Sequence, residues 1–138
     1  MDSVREIIAL FGGMAKLQEL AIRVESPGFM PLAIEYVGVG PRGGALVGVA
    51  HHYLQNGDLM CDPEVVFEVF GDDWQPVTYQ QDNIGLYQEA VFLDGDKVML
   101  RPKLTKDLQA FMQLWDKNLT DQGFVEAARR TCSDKSGG

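Results

Sequence analysis

Hydrophobic residues follow a helical spacing at the start of the chain. Ser3 and Glu6 have the spacing of a capping box, and the glycines at positions 12 and 13 interrupt the pattern that follows. The apolar positions are Val4, Ile7, Ile8 and Phe11. Because this spacing places them on one side of a helix, the pattern predicts a short helix over about residues 3–11.

From residue 20 onward the hydrophobic spacing becomes that of β-strands. Apolar residues occupy alternate positions or short runs between clusters of glycine, proline, asparagine and aspartate. Asn56-Gly57 and Asp94-Gly95 favour hairpin turns, and Asp62-Pro63 disturbs the pattern, so a loop is expected at about 55–63. The predicted strands lie at about 20–24, 30–37, 45–54, 65–70, 74–79, 86–93 and 98–100.

Helical spacing returns after Pro102. Thr105 is a candidate N-cap and Gly123 a candidate C-cap, which predicts a helix at about 105–122. Its apolar stripe, which we expect to face the sheet, consists of Leu108, Phe111, Met112, Trp115 and Leu119. Residues 131–138 contain little to bury and are predicted to form a flexible tail.

The order of these elements predicts the fold class. Strands follow one another between a short N-terminal helix and a longer C-terminal helix, and their connections are too short for crossover helices. We therefore predict an α+β fold with an antiparallel, meander-like sheet of about five to seven strands on which the helices pack. At 138 residues and 46% hydrophobic content, the chain has room for one core, so residues 1–130 are expected to form a single domain.

Charge is distributed unevenly along the chain. The formal net charge is −8, but the segment from Gly43 to Asp96 holds ten acidic residues and no lysine or arginine. We expect these acids to gather on one side of the sheet and attract a basic protein surface. The alternative is that they only keep a small β-rich protein soluble. The candidate residues of this acidic face are Asp58, Asp62, Glu64, Glu68, Asp72, Asp73 and Asp82.

Four aromatic residues in the same part of the chain are candidate binding residues. They are Tyr53, Trp74, Tyr79 and Tyr87. Exposed rings can stack on nucleic-acid bases, but no nearby lysine or arginine is present to meet the phosphates. We therefore predict no direct binding of nucleic acid, and packing of the rings in or against the sheet is the simpler interpretation.

A metal or small-ligand site is an alternative interpretation of the same region. His51 and His52 precede four acids with suitable donor atoms for a divalent cation: Asp58, Asp62, Glu64 and Glu68. Of these, Asp58 and Asp62 lie on the expected loop, where they could converge with a histidine. Neighbouring strand residues point to opposite faces, so only one histidine is expected to join such a site. The spacing fits neither the calcium-loop nor the helical zinc-protease motif, and these acids could instead cap turns.

The sequence contains no specific motif for catalysis. No candidate nucleophile lies in an elbow-like glycine context. The glycine-rich segment 38–44 could cradle a phosphate with Arg42, but no helix follows it and Pro41 lacks an amide donor. We therefore expect a plain strand connection at this segment, and a non-enzymatic protein without a cofactor.

The N-terminal residues and the lengths of the hydrophobic runs indicate the cellular compartment. Acidic residues stand where a signal peptide carries basic ones, and no uncharged run reaches the roughly 20 apolar residues of a membrane helix. The prediction is a cytoplasmic protein that does not associate with membranes. In that reducing compartment Cys61 and Cys132 are expected to remain thiols.

Several short motifs along the chain are distinctive. They are QNGDLMCDPE at 55–64, GPRG at 40–43, RP at 101–102, WD at 115–116 and QGF at 122–124. Together they resemble, over most of residues 4–124, a family of small domains of unknown function carried by phages, plasmids and integrative elements. The resemblance implies a mobile-element accessory protein and carries over no catalytic residues. Small acidic proteins of this kind often bind host machinery, including defence complexes.

The resulting prediction is a non-enzymatic binding protein of a mobile element. Its acidic face would engage a basic surface, such as that of a host nucleic-acid-binding or defence protein. The alternative is a small-ligand-binding or metal-dependent protein that uses His51 or His52 with Asp58 and Asp62.

Overall fold

The computed structural model describes residues 1–137, with side chains for residues 1–133; Gly138 lies outside the described residues. The helices are α1 (Asp2–Leu10), α2 (Met14–Glu19), α3 (Pro102–Asp121) and α4 (Phe124–Gly137). The strands are β1 (Ile22–Val24), β2 (Leu32–Val39), β3 (Ala45–Gln55), β4 (Asp58–Phe70), β5 (Asp73–Gln81), β6 (Leu86–Glu89), β7 (Val91–Asp94) and β8 (Lys97–Leu100).

Strands β1 to β6 form one antiparallel sheet whose spatial order is the order of the chain. The structure therefore confirms the predicted α+β fold with a meander-like sheet. The strand predicted at 86–93 is divided at Ala90, because β7 leaves the large sheet and pairs with β8. The Ala90 amide donates to the Val77 carbonyl at 2.7 Å, and the Arg101 amide donates to the Ala90 carbonyl at 2.8 Å. Ala90 thus connects the two sheets.

One face of the six-stranded sheet, called here the covered face, packs against the helices. Alternate residues of its three central strands are buried there, namely Leu32, Ile34, Val47, Val49, Val65 and Phe67. Val4 and Ile7 of α1 and Phe124 of α4 belong to the same hydrophobic core. Because side chains alternate along a strand, this pattern buries one set of residues and leaves the other set on the opposite face.

Helix α3 presents its predicted apolar stripe to this core. Leu108, Trp115 and Leu119 are buried, while Phe111 and Met112 are half-buried against the core. The helix begins at Pro102, before the predicted cap Thr105, since proline is favourable in the first turn of a helix. It ends at Asp121, and Gly123 follows with a φ of +84°, which agrees with its predicted role at the helix end.

The opposite side of the sheet is called here the open face. The strand register places the following residues on it: Arg23, Ala33, Glu35, Gly48, Ala50, His52, Cys61, Glu64, Val66, Thr78, Gln80, Tyr87 and Glu89. The core residues contributed by the helices pack against the other side. The open face is therefore the side of the sheet on which polar and titratable groups can gather.

One expectation about an irregular segment is wrong. The loop expected at 55–63 is a tight hairpin, because Asn56 and Gly57 adopt positive φ values of 53° and 86° and β4 begins at Asp58. Pro63 is accommodated within β4 at a register shift, where a ladder hydrogen bond is dispensable. Helix α4 continues through residues 131–137 of the predicted tail, and the flexibility of that tail stays a prediction.

Candidate functional site on the open face

The two adjacent histidines lie on opposite faces of the sheet. His51 is on the covered face, only 7% exposed, with its ring centroid 5.7 Å from that of Trp115 and 5.4 Å from that of Phe124. Its Nδ1 lies 3.1 Å from the carbonyl oxygen of Met30. Burial lowers the pKa of His51, although hydrogen bonds to the backbone of Met30 and Pro31 oppose the shift. His51 is therefore a neutral core residue.

His52 lies on the open face beside Cys61 and Glu64. One ligand atom from each of the three residues lies within 4.8 Å of the other two, and all three side chains are half-buried. The Cys61 Sγ is 4.0 Å from the Glu64 Oε2. Within residues 1–133, no other three histidine, cysteine or acidic side chains converge in this way. Asp58 and Asp62, the acids expected to accompany a histidine, are not part of the group.

A register shift between β3 and β4 brings these three side chains together. Ala50 pairs with Glu64 and His52 pairs with Cys61, so β4 uses one more residue than β3 between the two pairs. In a regular strand, residues three positions apart point to opposite faces. The extra residue of the bulge turns Cys61 to the same face as Glu64.

Asp82 borders this group from the 3₁₀ helix Asp82–Ile84 that follows β5. Its Oδ2 accepts a hydrogen bond from the Cys61 amide at 2.7 Å, and its Oδ1 accepts one from the Gln80 side chain at 2.7 Å. The hydrogen bond from Gln80, followed by that from Cys61, lowers the pKa of Asp82. Asp82 thus stays ionised and fixed beside the cluster.

The surrounding field on the open face is negative. Burial, followed by the charges of Glu64, Asp82 and Glu35, raises the pKa of the Cys61 thiol to about 11. Burial and then the neighbouring charge of Glu35 also raise the pKa of Glu64. At neutral pH the Cys61 thiol therefore keeps its proton, which makes it a poor nucleophile. Cys61 and Cys132 are not joined by a disulfide.

The seven predicted acidic residues do not form one contiguous face. Glu64 belongs to the open-face group, Asp82 borders it, and Asp62 is half-buried at the bulge. The other acids lie elsewhere: Asp58 at the hairpin tip, Asp72 and Asp73 at the far end of β4, and Glu68 beneath a loop. A strand of 13 residues separates the tip from the far end, so the acidic candidates are spread along its whole length.

Glu68 is wrongly predicted as a surface residue, because the glycine-rich loop folds over it. Its side chain is completely buried, and its Oε2 accepts hydrogen bonds from the Arg42 amide at 2.9 Å and the Gly44 amide at 2.8 Å. The Arg42 guanidinium lies 3.7 Å from its other oxygen. A Cβ on Gly40 would come within 2.6 Å of the Glu68 carboxyl group, so the close approach requires glycine. The loop therefore surrounds an anion, and that anion is the chain's own carboxylate.

The four candidate aromatic residues lie in different parts of the structure. Trp74 is buried with its ring centroid 5.4 Å from that of Phe67, and Tyr79 packs edge-on against Phe111. Tyr53 borders a cleft next to His52. Tyr87, which is 58% exposed, lies on the open face in the edge strand β6. Of the four rings, Tyr87 is thus the one best placed to contact a partner.

Sequence reasoning did not single out Cys61, Glu35 or Glu89 as candidate residues. Glu35 lies outside the acidic segment of the sequence but is brought to the open face by the pairing of β2 with β3. Its position within an alternating strand is a signal that could have identified it. Cys61 joins the site only through the bulge, which single-sequence alternation does not indicate.

The fold and the site define a class: an α+β protein with a helix-covered antiparallel sheet and an acidic, titratable open face. The family model described as "Domain of unknown function (DUF6908)" matches residues 2–125, and the chain belongs to this family. Neither a search of curated proteins nor one of solved structures finds a significant match. Among the described residues, no helix is long and apolar enough to cross a membrane.

Proposed function

We propose that this protein is a non-enzymatic binding protein whose open face engages a basic protein surface. The observation that carries the proposal is the charge of that face. Glu35, Glu64 and Glu89 project from it and Asp82 borders it, while the single basic residue that the register places there, Arg23, is paired with Glu25 at 3.2 Å. Among the described residues, Glu35, Glu64 and Glu89 form no ion pair, although the Arg101 side chain donates to the Glu89 backbone carbonyl at 3.0 Å. Such carboxylates on one surface favour a partner of opposite charge.

The shape of the face also supports a protein partner. The face is a sheet surface rather than a deep cavity, and its edge strand β6 presents the exposed ring of Tyr87 beside the acids. Exposed tyrosine is enriched at protein interfaces, where it often serves as an anchor. Because exposed charges act over distance, we expect the binding to be fast and weakened by salt.

The biological setting of the proposal rests on the resemblance of the sequence motifs to domains of mobile elements. In that setting the protein acts in the cytoplasm of a host cell, and its basic partner is a host nucleic-acid-binding or defence protein. The partner surface that normally contacts phosphates would supply the positive charge. The buried Glu68 takes no part, and Asp58, Asp72 and Asp73 contribute at most to the long-range field.

Affinity capture with matched charge reversals tests this proposal. The test variant carries Glu35→Lys and Glu89→Lys on the open face, and the control carries Asp107→Lys and Asp121→Lys on exposed positions of α3. Both variants change the net charge equally. We expect the parent and the control to capture the same basic protein from host lysate at low salt, and the test variant to lose it. Equal capture by all three proteins would refute an interface on the open face.

A further inference from the structure

The group formed by His52, Cys61 and Glu64 combines three different donors: an imidazole nitrogen, a thiol sulfur and a carboxylate oxygen. Their ligand atoms lie within 4.8 Å of one another. In a tetrahedral zinc site with bonds of about 2.0–2.3 Å, neighbouring ligand atoms are roughly 3.3–3.8 Å apart. Small side-chain rotations would close the remaining gap. Sulfur and nitrogen donors favour Zn²⁺ over Mg²⁺ or Ca²⁺, which prefer sites made of oxygen alone.

The backbone holds the three donors in position. His52 and Cys61 are paired across β3 and β4, and Glu64 lies on the same face one pair further along the ladder. The hydrogen bond from the Cys61 amide to the Asp82 carboxylate fixes the backbone of the cysteine. Asp82 therefore orients a donor through the backbone and adds negative charge beside the cation, as outer residues of metal sites commonly do.

One side of the group borders open space. His52 lines a cleft of about 310 Å³ together with Arg23, Pro31, Tyr53, Leu54 and Leu59. Three protein donors leave the fourth position of a tetrahedral ion to water or another small ligand. All three donors are half-buried, so each is reachable from solvent, and His52 also faces the cleft.

We propose that His52, Cys61 and Glu64 bind one Zn²⁺ ion on the open face, with a water molecule as the fourth ligand. Binding forms a zinc–sulfur bond and releases the thiol proton to solvent, with no change of oxidation state. The site differs from the alternative expected from the sequence, since Asp58 and Asp62 are replaced by Cys61 and Glu64. Glu64 belongs both to this site and to the acidic surface proposed to bind a partner, but metal binding requires only this chain and is measured without a partner.

The test uses the full chain, freed of metal with a chelator, and two probes: Zn²⁺ in competition with a chromophoric chelator, and Co²⁺ observed by absorption. The ligand variants are Cys61→Ser and Glu64→Gln. The matched controls are Cys132→Ser, which removes the other thiol, and Glu89→Gln, which removes an open-face carboxylate outside the group. Mg²⁺ serves as the oxygen-preferring comparison ion, and circular dichroism checks the fold of each variant.

We expect one Zn²⁺ per chain, with an affinity at least about tenfold lower in both ligand variants and unchanged in both controls. Co²⁺ should give a sulfur-to-metal charge-transfer band that disappears in Cys61→Ser and persists in Cys132→Ser. If Cys61→Ser does not fold, the Zn²⁺ affinity of the near-isosteric variant Glu64→Gln decides whether the group binds the ion. The proposal is overturned if the parent binds no Zn²⁺, if the ligand variants bind it like the parent, or if the cobalt–thiolate band depends on Cys132.

Discussion

The two faces of the six-stranded sheet show how neighbouring residues of the same type acquire different roles. His51 turns to the covered face, where Trp115 and Phe124 surround its ring. His52 turns to the open face, where it meets Cys61 and Glu64. The type of side chain is the same. Its role therefore depends on which face the alternation along the strand gives it, and on which face the helices cover.

The largest expected effect is on the covered face. Trp115 of α3 is buried against His51 and Phe111, so Trp115→Ala should lower the free energy of unfolding by about 3–5 kcal/mol. Leu114→Ala is the matched control, because the neighbouring Leu114 is exposed on the same helix and should change stability little. Urea denaturation measures both. Equal stability of the two variants would contradict the packing of α3 on the sheet.

Much of this division could be predicted from the sequence. The alternating strands and the stripe from Leu108 to Leu119 indicate the α+β fold because both patterns are local. The sequence does not indicate helix α4, because its buried residues (Phe124, Val125, Ala127 and Ala128) are confined to its first turns, too short a run to show a helical period. The burial of Glu68 and the convergence of Cys61 with His52 depend on a folded loop and a bulge, which bring together residues far apart in sequence.

Glu68 departs from the contrast between the two faces. It lies on the polar side of β4 but is completely buried. Removing it in Glu68→Ala deprives the Arg42 and Gly44 amides of their acceptor and should cost about 2–3 kcal/mol. Glu68→Gln retains one carbonyl acceptor and should cost less. The control Glu89→Ala, at an exposed site, should be near neutral. Thermal or urea unfolding that ranks Glu89→Ala with Glu68→Ala would show that the loop does not depend on this carboxylate.

The paired substitutions His51→Ala and His52→Ala compare the faces directly. His51→Ala leaves a cavity between two aromatic rings and should lower stability by about 2 kcal/mol. His52→Ala removes a half-buried side chain and should lower the stability of the metal-free protein by less than about 1 kcal/mol. Urea denaturation in the presence of a chelator measures the free energy of unfolding of both variants. A larger loss for His52→Ala would reverse the assignment of the two histidines.

A pH dependence should follow from the buried histidine. The pKa of His51 is lower in the folded chain than the ordinary 6.5, so below that pH the unfolded state binds more protons and the free energy of unfolding falls. The charged groups that act on it are Asp62, which opposes the shift, and His52, which adds to it. Between pH 7.5 and 5.5, with a chelator present, the parent should lose stability relative to His51→Gln. A constant difference between the two proteins would mean that His51 titrates normally.

The smallest effect is expected for the charges of the open face. Glu35 and Glu89 are exposed and have no ion-pair partner within the part of the chain that the structure describes. Glu35→Lys with Glu89→Lys should therefore change the free energy of unfolding by no more than about 0.5 kcal/mol per site. Denaturation at low and high salt measures this, with Asp107→Lys and Asp121→Lys as the control. If reversal on the open face destabilises the protein far more than the control, these acids have a structural role, and any loss of partner binding in the same variant reflects unfolding. If stability is unchanged, the fold does not need the charges of Glu35 and Glu89, and a loss of partner binding in this variant reports on the interface itself.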